Sequence, residues 1–342
     1  MRVTLPEDEI ADRAPAAVTR DISGALDPVR AVDRVRVLLR SVPAETGLSA
    51  RRFSATLLSA HAECPRSSYF GRLLRGPQTG GRLDARDVVE RGSPARLAPS
   101  ARGLVIHRFC EIYRAGQPVA EKLREALRYV SRARAADFTD GLDEALEDRA
   151  IAEILPFAEN YSRSRALREV EAHRAAGDGI TRVLTETPFV LRTDAGFVTG
   201  SIDTLLVTSL EGGRVRATVL DFKTEWVEAG GSAKAAARHR LQMQTYALAA
   251  RVLVPGCTSV EARLVFLASG DEQFAFDAAD LTERAATRAV ESAVAALSEP
   301  LDHPEAFPPV PGRRCDTCRF SDVCSESSRQ ASQLLETARA HG

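Results

Sequence analysis

Asp221 and Lys223 stand two residues apart in Val219-Leu-Asp-Phe-Lys-Thr-Glu225, at the end of an apolar run. Side chains alternate along a strand, so on one this carboxylate and ammonium project from the same face. A second carboxylate, Asp203, closes Gly200-Ser-Ile-Asp203 on the segment before it, where a hairpin sets it opposite the first. Two adjacent carboxylates repel unless a cation bridges them, and hard oxygen ligands select Mg²⁺ or Mn²⁺. The lysine can then position an attacking water or neutralise charge on a phosphate. Taken alone, the same residues also read as a strand-end salt bridge with a solvated Asp203, and their neighbours decide between the two.

His107 lies in Gly103-Leu-Val-Ile-His107, on a predicted helix upstream of the strands. Gln242 and Tyr246 are four apart in Leu-Gln-Met-Gln-Thr-Tyr and share a helical face. Only Lys122, Lys223 and Lys234 are lysines among 46 basic residues, so a lysine inside an apolar strand asks for a reason. Of the six cysteines, Cys315, Cys318 and Cys324 cluster near the C-terminus, and Cys64 precedes Pro65 about 250 residues earlier. Four such thiolates can hold a 4Fe–4S cluster or zinc. Zinc ribbons usually offer two close pairs, whereas here one ligand is remote and the last gap is five, which favours the cluster. Cys110 and Cys257 read as small core hydrophobes.

The elements that must position these groups change character at Gly177. Before it, helical periodicity runs over 53–74 and 103–176, with breaks near Gly116 and Thr139, and residues 27–42 also have helical spacing. Residues 76–100, rich in Gly, Pro and Arg, read as a loop. After it, three strand segments follow over 181–191, 197–210 and 214–226, parted by turn signals at Asp194-Ala-Gly196 and Glu211-Gly-Gly213. A helix over 232–253, two short strands and a helix over 281–297 complete a mixed α/β core, with a helical N-terminal half wrapped around it. The tail from Glu299 carries five prolines.

Composition sets limits. The chain has 342 residues, 44% hydrophobic and 27% charged, with a formal net charge of −1. Nothing in that balance advertises nucleic acid globally, so any such binding must come from local patches or bound cations. No apolar run approaches the roughly 18 residues of a membrane span. Met1–Ile10 has no apolar signal core, and the expected compartment is the cytoplasm. No GxxxxGK[ST] phosphate loop occurs, so no P-loop motor is expected in the chain.

The ordered series Gly103-x3-His107, Glu186-Thr-Pro-Phe189, Gly200-Ser-Ile-Asp203, Asp221-Phe-Lys223-Thr224 and Gln242-x3-Tyr246 resembles the RecB/AddB-like PD-(D/E)XK nucleases. The likeness spans about residues 53–328. It implies a restriction-endonuclease-like α/β fold, a mixed central sheet flanked by helices. It also implies hydrolysis of DNA by a Mg²⁺- or Mn²⁺-dependent deoxyribonuclease, expected to be an exonuclease, in end processing, repair or recombination. By position, His107, Asp203 and Asp221 become metal ligands, Lys223 the catalytic lysine, and Gln242 and Tyr246 neighbours of the active site. Glu186 matches an acidic strand position. Cys64, Cys315, Cys318 and Cys324 are similar to the iron–sulfur staple of AddB-type nucleases. Such nucleases are often joined to a helicase, which makes a helicase partner expected here, docked through the first fifty residues. Two positions depart from the pattern: Phe222 where tyrosine is frequent, and Thr204 where arginine often follows the aspartate. On this reading residues 1–52 are a helical extension, 53–328 the nuclease domain with its staple, and 329–342 a helical tail. The competing readings are a DNA-end-binding scaffold of the same fold that cuts poorly, and a zinc-ribbon interaction protein.

Overall fold

Alternating β-branched and polar residues between Arg182 and Lys223 build the long strands of the molecule, and apolar helices cover both of their faces. The computed structural model describes residues 51–73, 97, 99–134, 144–312, 315, 318 and 320–324. The strands are β1 (Arg52–Ser54), β2 (Arg182–Thr193), β3 (Gly196–Ser209), β4 (Val215–Lys223), β5 (Cys257–Phe266) and β6 (Glu272–Ala275). They form one six-stranded sheet in the order β1-β3-β4-β5-β6, with β2 pairing β3 along its whole length. The β2–β3, β3–β4 and β5–β6 pairs are antiparallel, and β4–β5 is parallel, its crossover carried by helices.

Four helices lie on one face: α3 (Pro99–Ile112), α4 (Val119–Arg134), α5 (Glu144–Arg163) and α6 (Arg165–Ala175). Phe109, Leu123, Ile154 and Tyr161 pack there against Leu206, Leu220 and Phe222. The opposite face carries α1 (Ala55–Glu63), α7 (Ser232–Ala236), α8 (Arg240–Leu253) and α9 (Glu283–Leu297), with Leu58, Met243, Ala247 and Val294 against Ile202, Leu205 and Val219. The helix α2 (Pro65–Leu73) follows α1 directly. Its junction is chemically determined: Ser54 caps α1 by accepting the Leu57 N–H at 3.0 Å, and Pro65 turns Cys64 out of the helical region. No described helix is long and apolar enough to cross a membrane.

The fold class is the α/β arrangement expected from the sequence, with local differences. Phe53, read as the start of a helix, belongs to β1, which pairs parallel with Phe197–Thr199. Three residues carry no period, so only the neighbouring strand makes them a strand. The helix expected over 103–176 breaks also at Ser164, whose hydroxyl caps α6 on the Leu167 N–H. The helix over 232–253 is interrupted by a 3₁₀ turn at Ala237–His239. The expected helix within 27–42, nearly all of the 76–100 loop, the break near Thr139 and the tail over 329–342 lie outside the described residues.

Candidate active site

The sheet opens where its chemistry lies. β2 occupies one edge of β3, so β1 and β4 share the other: β1 pairs Phe197–Thr199 and β4 pairs Thr204–Ser209. Between them, among the described residues, Gly200–Asp203 has no ladder partner on that edge. The last β3–β4 pair is Thr204 with Leu220, and one step further Asp203 and Asp221 face each other. The Asp203 Oδ2 accepts the Phe222 N–H at 3.0 Å, standing in for a ladder carbonyl.

The outer strand is irregular at the same level. Thr185 pairs Thr204 and Thr187 pairs Ile202, but Glu186, opposite Asp203, drops out with φ of +44°. That left-handed conformation disfavours any residue with a Cβ. Along β3 the core-facing parity switches here: Val198 and Ile202 share one core with Leu205 and Val207. Glu186, Asp203 and Asp221 thus form a row of carboxylates across three adjacent strands. Ser201 donates its hydroxyl to Glu186 at 3.2 Å.

Helices from both faces close on the gap. His107 reaches it from α3, its Nε2 2.9 Å from the Phe222 carbonyl oxygen. A carbonyl only accepts, so Nε2 carries hydrogen and Nδ1, in the neutral ring, presents its lone pair. Nδ1 lies 3.4 Å from Asp203 Oδ1. One ligand atom each from His107, Glu186 and Asp203 lies within 4.8 Å of the others. From α8, Gln242 donates Nε2 to Asp221 Oδ1 at 3.1 Å and to the Tyr246 hydroxyl at 2.8 Å, while its Oε1 accepts from Lys223 Nζ at 3.1 Å. Lys223 Nζ is 2.6 Å from Asp221 Oδ2, an oxygen without a well-directed hydrogen bond.

Charge crowding is visible in the titration of these groups. Burial, then the Asp203 charge, lifts Glu186 to about 7. Burial pulls His107 down, but Asp203, Asp221 and Glu186 outweigh it and raise the imidazole to about 9. Burial pushes Asp203 up, and His107, then Lys223 and the Phe222 N–H, more than reverse it, leaving Asp203 below its usual range. Asp221, 1% exposed, is held above it by burial despite Lys223. Lys223 loses by burial and gains more from Asp221 and Asp203, so it is a cation at neutral pH.

All the residues singled out in the sequence except the cysteines thus meet in one place. Asp221 engages Lys223 and Gln242, while Glu186, given only a strand position by the sequence, stands in the cluster with His107 and Asp203. Its signal was an acidic residue in an apolar β-segment, but its partner across the ladder was not readable. Three carboxyl groups, of which Glu186 is held at about 7, and an imidazole whose Nδ1 can ligate once it loses its proton make a donor set that fits Mg²⁺ or Mn²⁺. Phe222 packs edge-on to Tyr161 at 5.2 Å, fully buried, where a tyrosine hydroxyl would need a partner. Thr204 is also buried and offers no surface to DNA.

The cysteines lie elsewhere. Cys64 follows α1, and Arg66 just after it donates its N–H to the Pro308 carbonyl at 3.3 Å. Phe307 is sealed against His61 and Tyr69, and Phe70 lies 5.7 Å from Phe320. The segment bearing Cys315, Cys318 and Cys324 therefore packs on the α1–α2 unit, and all four thiols are free. Arg72 donates Nη1 to the Leu297 carbonyl and lies over Phe307.

An α/β sheet splayed around a carboxylate row, a histidine and a buried lysine offers the oxygen and nitrogen donors that a divalent cation takes. Residues 52–325 match the family model of the PD-(D/E)XK nuclease superfamily. The chain belongs to that superfamily. No curated protein matches it. Among solved structures, the crystal structure of SSO0001 is similar at 14% identity over 65% of this chain and 95% of that one, with a TM-score of 0.26.

Proposed function

We propose that the protein is a Mg²⁺- or Mn²⁺-dependent deoxyribonuclease of the RecB/AddB-like kind, working as an exonuclease at DNA ends during repair or recombination. The observation that carries this is the convergence of His107, Glu186, Asp203 and Asp221 with Lys223 around Gly200–Asp203 of β3, past the end of the β1 ladder and before the start of the β4 ladder. His107, Asp203 and Asp221, with Glu186 beside them, would hold the ion. The bound ion supplies charge neutralisation at the phosphate and acidifies a water. The Phe222 carbonyl fixes the His107 tautomer that can ligate. Lys223, already an ammonium, orients water and offsets phosphate charge rather than abstracting a proton. Gln242 clamps both members of the Asp221–Lys223 pair, and Tyr246 holds Gln242.

Digestion of end-labelled single- and double-stranded DNA with Mg²⁺, with Mn²⁺ and with EDTA tests the activity. Laddering from one end in either metal and none in EDTA is expected, and intact DNA in all three overturns the reading. The reading also gives Cys64, Cys315, Cys318 and Cys324 a 4Fe–4S cluster, supported by the packing of Phe307 and Phe320 onto the α1–α2 unit. A helicase partner would supply the motor, and affinity capture from the native host should recover an ATPase. Repeated capture of the nuclease without one counts against that partner.

A further inference from the structure

At one end, the metal-type cluster draws His107 of α3 and Glu186 of β2 together, and the other end of the same two elements is basic. Arg114 follows α3 by two residues, Arg174 belongs to α6 and Arg182 begins β2. With His173, Thr181 and Thr185 among its walls, they line a cavity of about 270 Å³. His107 and Glu111 share a face of α3, and the Glu111 charge acts on both Glu186 and Arg114, so it lies between the two ends. Along β2, Arg182 is four residues from Glu186, about 13 Å at strand rise. Along α3, Ile112 is five residues from His107, about 7 to 8 Å at helical rise, and Arg114 is two residues further on.

The three guanidinium groups are held with donors to spare. Among the described residues, every acceptor they meet is reached through Nη1: the Glu111 and Tyr113 carbonyls for Arg114, the Tyr113 carbonyl and Glu171 for Arg174, and the Ile180 carbonyl for Arg182. The Nε–Nη2 edge, which grips a phosphate through two parallel hydrogen bonds, remains for a ligand. Glu171 pairs with Arg174 and Glu111 with Arg108, which leaves the cavity a positive surplus. Burial, then the neighbouring Arg174 charge, holds Arg114 below its ordinary range, the mark of like charges kept together. The Thr181 hydroxyl is already donated to Asp178 at 2.6 Å, so the guanidinium groups supply the recognition.

We propose that Arg114, Arg174 and Arg182 bind a backbone phosphate of the DNA strand being cut. This rests on the nuclease reading above and adds where the strand runs: from the carboxylate row outward between α3 and β2. A stacked strand advances about 3.4 Å per phosphate and an extended one up to about twice that, so the contacted phosphate is about two to four from the scissile one. In a chain of net charge −1, such a local patch is what a polyanion needs.

The test uses the full chain carrying Lys223→Ala to suppress cutting, with Ca²⁺, and end-labelled single-stranded oligonucleotides followed by fluorescence anisotropy. Arg182 is exposed and, among the described residues, its guanidinium bonds only its own segment, so Arg182→Ala leaves the fold intact; Arg114→Ala is the second variant. Each should weaken binding about tenfold at low salt and flatten the plot of log affinity against log salt by about 0.7. One neutral methylphosphonate, moved along the backbone, should weaken the parent at a position two to four from the wild-type cut. That same substitution should weaken Arg182→Ala protein less than the parent, and Arg182→Lys should restore part of the difference. Unchanged affinity and slope in both variants, from a parent that binds DNA and a wild type that cuts it, overturn this contact alone. A parent that does not bind and a wild type that does not cut overturn the nuclease reading with it.

Discussion

Lys223 is 16% exposed at its side chain and charged because Asp221 and Asp203 outweigh its burial. Its replacement by alanine should leave DNA binding in Ca²⁺ intact while cleavage falls by about 10²–10³-fold or more, the usual effect of removing one preorganised charge. Single-turnover cleavage measures it, and a wild-type rate from Lys223→Ala removes the lysine from the active site. His107 gives a pH prediction. Metal-free, its imidazole is protonated below about 9, and a metal ligand must be neutral, so binding an ion releases that proton. Affinity for Mn²⁺ should therefore rise with pH toward about 9, by at most tenfold per unit from this group. Glu186, protonated below about 7, steepens the rise under that value. Calorimetry at pH 6, 7 and 8 in buffers of different ionisation enthalpy reads the protons released, and affinity flat across that range contradicts ligation by His107.

β3 is the element on which the site depends, because it holds β2 on one edge and passes from β1 to β4 on the other. Gly200 sits in the interval. A Cβ there would lie 2.6 Å from the Phe189 Cζ and 3.3 Å from the Ala55 Cβ. Phe189 in turn stands edge-on to Tyr246 at 5.7 Å, and Tyr246 holds Gln242. Gly200→Ala should cost about 1–3 kcal/mol through overpacking and slow cleavage by displacing that ring and hydroxyl. Thermal unfolding and single-turnover rates together check it; an unchanged melting temperature shows that the ring swings aside freely. The sequence announced β2, β3 and β4 because each is long enough to show alternation and is bounded by Asp194-Ala-Gly196 or Glu211-Gly-Gly213. β1 was not legible: Arg52-Phe-Ser54 becomes a strand only through Phe197–Thr199, 145 residues away.

Across the whole molecule, the ends of the domain are brought together by Phe307 and Phe320 on the α1–α2 unit, beside Cys64. If Cys64 and Cys315 share a cluster, the closed loop is about 250 residues and removes roughly 5 kcal/mol of unfolded-state entropy, an upper figure. Domain stabilities are about 5–15 kcal/mol, so the staple would carry much of the margin. Protein purified without oxygen should be brown, with about four irons per chain. Cys318→Ser should lose the colour, melt earlier and cut less, although Cys318 touches none of the catalytic groups. One zinc per colourless chain would replace the cluster and keep the staple; a metal-free protein of unchanged stability would remove both.

Residue types and spacings alone determined the α/β class, the pairing of Asp221 with Lys223 on one strand face, and the shared helical face of Gln242 and Tyr246. Those are local consequences of periods of two and 3.6, which any chain with these residues obeys. Tertiary structure alone decided that Glu186 joins His107 and Asp203, that Gln242 bridges Asp221 and Lys223, and that Arg114, Arg174 and Arg182 share a cavity. These depend on strand register, on a left-handed residue inside β2 and on which helix covers which face. Each is fixed by contacts between segments far apart in the chain, where no local period carries the information.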